Sequence, residues 1–227
     1  MDSRPMVESA SRQRLMAQND KEDDDEDEEE NEEDEDNGDS TPLGGNFDLY
    51  DMNLDFLTSK YSPVGKMDVD PEALYCTILT YQAKNDRTAK ATIPEDYGSP
   101  GSEGEFSARF LRDPFSEEPF EISVSDIEIT DDIGFKSKYA SPKVRWDGDG
   151  IKARMDIAGG GCGIASSSGS FAMRPLWQAE SEDGEFMELF EGTLTFRASF
   201  SSLYTRKGHG RGIPTVSFPF WAVRALE

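Results

Sequence analysis

The chain has 227 residues, of which 47 are Asp or Glu and 23 are Lys or Arg, so its formal charge at neutral pH is −24. This length suits one domain of ordinary size or two small ones. Two cysteines and one histidine are too few for a disulfide framework or a typical tetrahedral zinc site, whereas 14 Phe, 7 Tyr and 3 Trp can supply a hydrophobic core.

The negative charge is concentrated near the amino end. Residues 20–39 contain sixteen acids and one lysine, which leaves a net charge of only −9 for all other residues together. A segment this charged and this poor in apolar side chains cannot recover its ordering entropy by burial. We therefore predict a disordered arm over residues 1–40, with an acidic tract at 20–39, followed by one domain over residues 41–227.

Apolar runs in this sequence are too short for a signal peptide or a membrane span. Two widely separated cysteines also fit a reducing compartment better than an oxidising one. These features predict a soluble intracellular protein, in the nucleus or the cytoplasm, with no membrane partner.

Alternating apolar and polar residues predict several strands. Residues 105–111 alternate in this way, and in residues 192–204 one parity holds Leu194, Phe196, Ala198 and Phe200. In residues 120–130 the apolar positions change parity near Ser125, which predicts a β-bulge.

Two further segments are apolar on both parities. Residues 75–81 (YCTILTY) fit a central strand. Residues 213–223 contain Pro214 and Pro219, which favour an edge strand or a bulge. Residues 47–57 and 185–190 show short, ambiguous helical periodicity. Eight or more strands between turns predict an all-β fold, a single antiparallel β-sandwich or barrel.

Residues 143–156 (KVRWDGDGIKARMD) predict a hairpin around the turn at 147–150. In that register, Arg145 lies opposite Lys152 and Lys143 lies opposite Arg154 on the outer face. Opposed like charges destabilise a sheet, so an anionic group is expected there. This anionic group could be the chain's own acidic tract, an acidic partner or a nucleic-acid phosphate. The alternative is that the four side chains spread apart into solvent, where salt screens their repulsion.

A second basic cluster follows in a glycine-rich segment near the carboxyl end. The candidate residues for binding anions or acidic partners are therefore Lys143, Arg145, Lys152, Arg154, Arg206, Lys207 and Arg211.

The acidic tract attracts cationic partners, such as histone-like or ribosomal proteins, by counterion release, although a passive solubility tail is the alternative. A free arm of this charge repels nucleic acid at long range, so the sequence disfavours nucleic acid as the principal ligand. The candidate residues for binding basic partners are Glu22, Asp23, Asp24, Asp25, Glu26, Asp27, Glu28, Glu29, Glu30, Glu32, Glu33, Asp34, Glu35 and Asp36.

The sequence favours a non-enzymatic protein-interaction module, with a role like that of a histone chaperone or a nuclear scaffold. No residue pattern predicts a catalytic group, a metal ligand or a cofactor. Two alternatives stay open: a β-barrel enzyme or small-molecule binder with an aromatic-lined pocket, and an anion or nucleic-acid binder that uses the basic hairpin face. The oligomeric state and the partner's identity are not determined by the sequence.

Overall fold

The computed structural model describes residues 43–113, 116–139, 144, 148–157, 163–206 and 215–226, and within these ranges eight strands form a closed antiparallel barrel. Each strand pairs with the next in the chain, and the last pairs with the first. The strands are β1 (Gly45–Asp51), β2 (Ala89–Ile93), β3 (Gly104–Ala108), β4 (Ile122–Thr130), β5 (Gly150–Ile157), β6 (Ile164–Glu180), β7 (Phe186–Phe200) and β8 (Thr215–Arg224). The prediction of an all-β antiparallel fold is confirmed, and of the two predicted forms, sandwich or barrel, the chain adopts the barrel.

All described residues belong to one compact unit, Gly38–Glu227. The predicted arm over residues 1–40, with every acidic candidate residue, lies outside the described residues. Its disorder and the domain boundary after residue 40 therefore stay predictions.

The barrel interior is filled by large apolar side chains. Phe47, Phe106, Phe171, Phe190 and Phe220 are each at most 1% exposed and belong to one buried cluster. The same cluster includes small residues on neighbouring strands, which leave room for the rings: Ala89, Ala91, Ala108, Ala153, Ala198 and Ala222. An eight-stranded barrel is just wide enough for its own side chains to fill it.

A second apolar cluster lies on the outside of the barrel, under two helices. Between β1 and β2 the chain forms α1 (Asp55–Tyr61) and α2 (Pro71–Gln82). Their buried residues pack with Tyr50 of β1 and Trp221 of β8, both of which point away from the barrel interior. A third helix, α3 (Ser202–Arg206), joins β7 to β8.

The strands predicted from alternation are present, but two of them end earlier than predicted: β3 ends at Ala108, and β7 ends at Phe200, so residues 202–204 lie in α3. Leu194, Phe196 and Ala198 of β7 are buried, whereas the residues between them face outward. In β4 the pairing with β5 shifts between Ser125 and Glu128, so the predicted bulge is present.

The strand predicted over residues 75–81 is wrong, because this segment lies in α2. The helix begins at Pro71, with the Asp70 side chain accepting a hydrogen bond from the Ala73 N–H at 3.0 Å. Leu74 and Ile78 are buried one helical turn apart. The Asp-Pro pair is a typical helix start and was the available signal.

The two segments with ambiguous helical periodicity are mainly strands. Residues 47–51 belong to β1, and the helix α1 begins only at Asp55. Residues 186–190 open β7.

The edge strand or bulge predicted for residues 213–223 is also wrong, because the described strand β8 pairs with β1 on one side and β7 on the other without a shift in register. Pro219 is tolerated where the ladder to β1 ends: its carbonyl accepts from the Met52 N–H at 3.0 Å, one residue beyond β1. Pro214 lies outside the described residues. The strand is apolar on both faces because one face lines the interior and the other lies under the helices.

The predicted hairpin over residues 143–156 is wrong in its pairing. β5 has β4 on one side and β6 on the other: Lys152, for example, lies opposite Glu128 and Ala172. No edge of β5 is left for the residues before the turn. Lys143 and Arg145 lie outside the described residues, so the four-cation face has no support in the described structure.

Candidate functional site

The described part of the barrel has a gap in its pairing on one side of β4. β3 pairs with β4 over only three residues, from Ile122 to Val124. Beyond the bulge, where Asp126 has a φ of 50°, β4 continues to Thr130 with β5 as its only strand partner. The second half of β4 therefore has an edge without a strand partner.

An open cleft of about 630 Å³ lies along this edge. Its walls are the loop of residues 98–103 before β3, residues 125–128 of β4 and residues 152–154 of β5. Ile129, next to this lining, is 54% exposed. Unpaired strand edges are prone to pair with another extended chain, so the cleft is a candidate site for strand addition.

The charges of the cleft are mixed rather than cationic. Arg154 Nη1 lies 3.0 Å from Asp126 Oδ2, in an ion pair whose side chains are 70% and 63% exposed. Lys152 is directly opposite Glu128 on the neighbouring strand. A third carboxylate, Glu103, also lines the cleft. Three carboxylates therefore face two cations.

Of the predicted basic site residues that the structure describes, two lie together in the cleft: Lys152 and Arg154. Arg206 is exposed at the end of α3 and does not line the cleft. Lys207 and Arg211 lie outside the described residues. The role of these cations in binding an anionic partner stays a prediction, and Asp126 and Glu128 would compete with such a partner.

Sequence analysis missed the carboxylates of the cleft. Asp126 and Glu128 lie on β4, more than twenty residues before the cations that they face. The parity change in residues 120–130 located the bulge but gave no information on which strand would lie beside it. Only the order of the strands could have predicted that β4 lies beside β5, because strands that follow each other in the chain are usually neighbours in an antiparallel sheet.

Two other ionic contacts tie strands together. Arg174 Nε donates to Glu191 Oε1 at 2.9 Å, and Glu191 is 1% exposed. Arg224 Nε donates to Glu188 Oε2 at 2.8 Å and its guanidinium lies 4.7 Å from the centre of the Phe47 ring. A buried carboxylate needs such a partner, so we assign both contacts to structure rather than to binding.

No three Cys, His, Asp and Glu side chains of the described residues converge closely enough to hold a metal ion. Cys76 is a free thiol on the exposed face of α2. None of the helices in the described ranges has the length and apolar character needed to cross a membrane.

The chain was compared with family models, curated proteins and solved structures, and none of the three comparisons gave a match.

Proposed function

We propose that this protein is a non-enzymatic interaction module that binds basic segments of other proteins. Its acidic tract attracts the partner, and the cleft beside β4 receives an extended part of it. The observation that carries this proposal is the free edge of β4, which opens onto a cleft whose carboxylates outnumber its cations.

The filled barrel supports a binding surface rather than an internal ligand chamber. The rings of Phe171 and Phe220 stack inside at a centroid distance of 5.4 Å, and Phe47 meets Phe190 edge to face at 5.1 Å. These four side chains are fully buried. A ligand or substrate in their place would have to displace close-packed side chains.

Charge supports a basic occupant for the cleft. Asp126 and Glu128 are already near cations, but Glu103 adds a carboxylate for which the cleft has no further basic side chain. A peptide with Lys or Arg residues satisfies this charge while its backbone pairs with β4. The tract at 20–39 would speed the encounter because it attracts the same cations at long range.

The arm is tested by measuring binding of core histones across a salt series. We compare the full chain with a variant that lacks residues 20–39. The full chain should bind more tightly at low salt and lose affinity more steeply as salt rises, because more counterions are released. Equal affinities with equal salt dependence would remove the arm from the proposal.

The cleft is tested with the double substitution Asp126→Asn and Glu128→Gln in the full chain. This variant should bind histones several-fold more weakly. Glu182→Gln serves as the control, since Glu182 is exposed in the turn after β6 and does not line the cleft. If Glu182→Gln weakened binding as much per charge removed, the effect would come from net charge and not from the cleft.

A further inference from the structure

A second, smaller pocket lies away from the cleft, between the helices α1 and α2 and the outside of the barrel. Its volume is about 230 Å³, and its walls include Tyr50, Leu54, Phe56, Tyr81, Asp86 and Arg87. They come from the end of β1, the start of α1, the end of α2 and the segment that leads into β2.

One part of the pocket wall is apolar and partly open to solvent. Leu54 is 36% exposed and Phe56 is 38% exposed, although both are large apolar residues. The Phe56 ring stacks on the Tyr81 ring with centroids 4.6 Å apart. An aromatic surface that stays exposed beside a cavity is typical of a ligand site.

One residue that lines the pocket, Tyr50, has a hydrogen-bonding group without a partner. Tyr50 is 1% exposed, and its hydroxyl makes no hydrogen bond to any described residue. Burying a hydroxyl in this way costs free energy unless something else supplies the bond. The hydroxyl lies within electrostatic reach of Arg87 and Asp86, which line the same pocket.

Tyr50 is available as a donor at neutral pH. Burial, and next the nearby Asp48 carboxylate, raise the pKa of the Tyr50 hydroxyl well above its ordinary value. The hydroxyl therefore keeps its proton, and an oxygen acceptor is the complement that it lacks.

Arg87, which also lines the pocket, provides a second donor. Its Nε lies 3.3 Å from Asp48 Oδ1, and its Nη1 donates to Asn85 Oδ1 at 2.6 Å. Its Nη2 has no hydrogen-bond partner among the described residues. Since the Asp48 carboxylate already pairs with the guanidinium, the site does not require an anion.

We propose that this pocket binds a small, flat, apolar molecule that carries a carbonyl or carboxylate oxygen. The apolar part lies against Leu54 and Phe56, and the oxygen accepts the hydrogen bond of the Tyr50 hydroxyl. The volume is below the range of about 300–1,000 Å³ that drug-sized ligands occupy, so one ring with a short substituent fits. This site is independent of the function proposed for the cleft.

Three probes of nearly the same shape test the oxygen requirement: acetophenone, benzoate and cumene. Binding to the full chain is measured by ligand-detected NMR titration. Acetophenone should bind about five-fold more tightly than cumene, as expected for one additional hydrogen bond. Comparing benzoate with acetophenone shows whether the site prefers a charged or a neutral acceptor.

The substitution Tyr50→Phe removes the hydroxyl and keeps the ring. In this variant the affinity for acetophenone should fall to that for cumene, whereas Tyr97→Phe, outside the pocket, should change neither affinity. Phe56→Ala should weaken all three probes, and because Phe56 is partly exposed the protein should stay folded by circular dichroism. Absence of binding by all three probes, equal affinity for acetophenone and cumene, or full acetophenone affinity in Tyr50→Phe would each overturn the proposal.

Discussion

The inner and outer apolar clusters of the barrel differ in whether they contain buried polar groups that lack a hydrogen-bond partner. The inner cluster consists of apolar side chains, and its phenylalanines on β1, β3, β6 and β8 are almost entirely buried. The outer cluster, under α1 and α2, includes the Tyr50 hydroxyl and lies beside Gln82, whose Oε1 is buried without a hydrogen-bond partner. It also borders the half-exposed rim of Leu54 and Phe56.

This difference separates stability from binding capacity. A cluster with no polar groups and no spare volume gains free energy by burial and has nothing to offer a ligand. A cluster that keeps unsatisfied donors next to exposed apolar surface gives up some stability, and such sites are commonly functional. Large-to-small substitutions in the inner cluster should therefore destabilise strongly, whereas changes at the exposed rim of the outer cluster should cost little.

The largest loss is expected from Phe220→Ala in the inner cluster. Phe220 is 0% exposed and stacks on Phe171, so its removal leaves a cavity that neighbouring strands cannot close. Urea denaturation should show a loss of about 3–5 kcal/mol in the free energy of unfolding. Phe186→Ala is the control, because Phe186 is 61% exposed. Similar losses for both would mean that the interior is not the main source of stability.

Gly192→Ala should cost less, because it adds a methyl group where the inner wall has no space. A Cβ at Gly192 would lie 2.2 Å from the Ala172 carbonyl oxygen and 2.5 Å from Phe220 Cζ. The expected loss is about 1–3 kcal/mol by the same urea measurement. Ser217→Ala, at an exposed position on β8, should be nearly neutral. If Gly192→Ala left the free energy of unfolding unchanged, β6 and β7 would have to be able to separate locally.

The amino-acid pattern predicted this inner cluster better than the outer one. Alternation marked one face of β7 as buried, because a strand's side chains change face at every residue. The helix α2 was missed since its segment is apolar on both parities, a pattern shared by buried strands and short buried helices. Its Leu74 and Ile78 pack on strands that are distant in sequence.

The candidate site was predictable only in part. That Lys152 and Arg154 share the outward face of one strand follows from their spacing, and both face the cleft. Their neighbours do not follow from local sequence, because Asp126 and Glu128 reach them through pairing of β4 with β5. The turn at 147–150 suggested a local hairpin, whereas barrel closure gave β5 two other partners.

Alkaline pH should weaken the outer cluster specifically. Because the pKa of Tyr50 is raised in the folded protein, chiefly by burial, folding favours the neutral hydroxyl. This contribution is complete below the unfolded pKa of about 10 and is lost as pH rises above it, at most at about 1.4 kcal/mol per pH unit. Thermal unfolding between pH 8 and 12 should therefore show a smaller loss for Tyr50→Phe than for the original chain.

The pKa of Tyr139 shifts in the opposite direction to that of Tyr50, so Tyr139 serves as the control for the alkaline experiment. The neighbouring Lys138 ammonium, which lies 4.7 Å from the centre of the Tyr139 ring, is the main cause that lowers the pKa of Tyr139, so folding favours its ionised form at high pH. Tyr139→Phe should then show a slightly larger alkaline loss than the original chain. An identical pH dependence for all three proteins would contradict the assignment to Tyr50.

Removing a satisfied hydroxyl should differ from removing an unsatisfied one. The Tyr97 hydroxyl accepts a hydrogen bond from the Leu43 N–H at 3.1 Å, so Tyr97→Phe should lose about 1 kcal/mol at neutral pH. Tyr50→Phe should leave stability unchanged or raise it by up to roughly 1 kcal/mol, because it deletes a buried group that has no partner. A loss of 1 kcal/mol or more in Tyr50→Phe would mean that the hydroxyl already has a structural partner, such as an ordered water.

The smallest effect is expected at the cleft. Arg154→Gln breaks the ion pair with Asp126, but both side chains are largely exposed, so the change in unfolding free energy should stay within about 0.5 kcal/mol. Arg174→Gln is the informative contrast, since it strips the partner from Glu191, which is buried, and should cost several times more. If Arg154→Gln were as costly as Arg174→Gln, the cations of the cleft would serve the fold and not a partner. With Arg154→Gln neutral for stability, any change that it causes in histone binding can be assigned to the cleft itself.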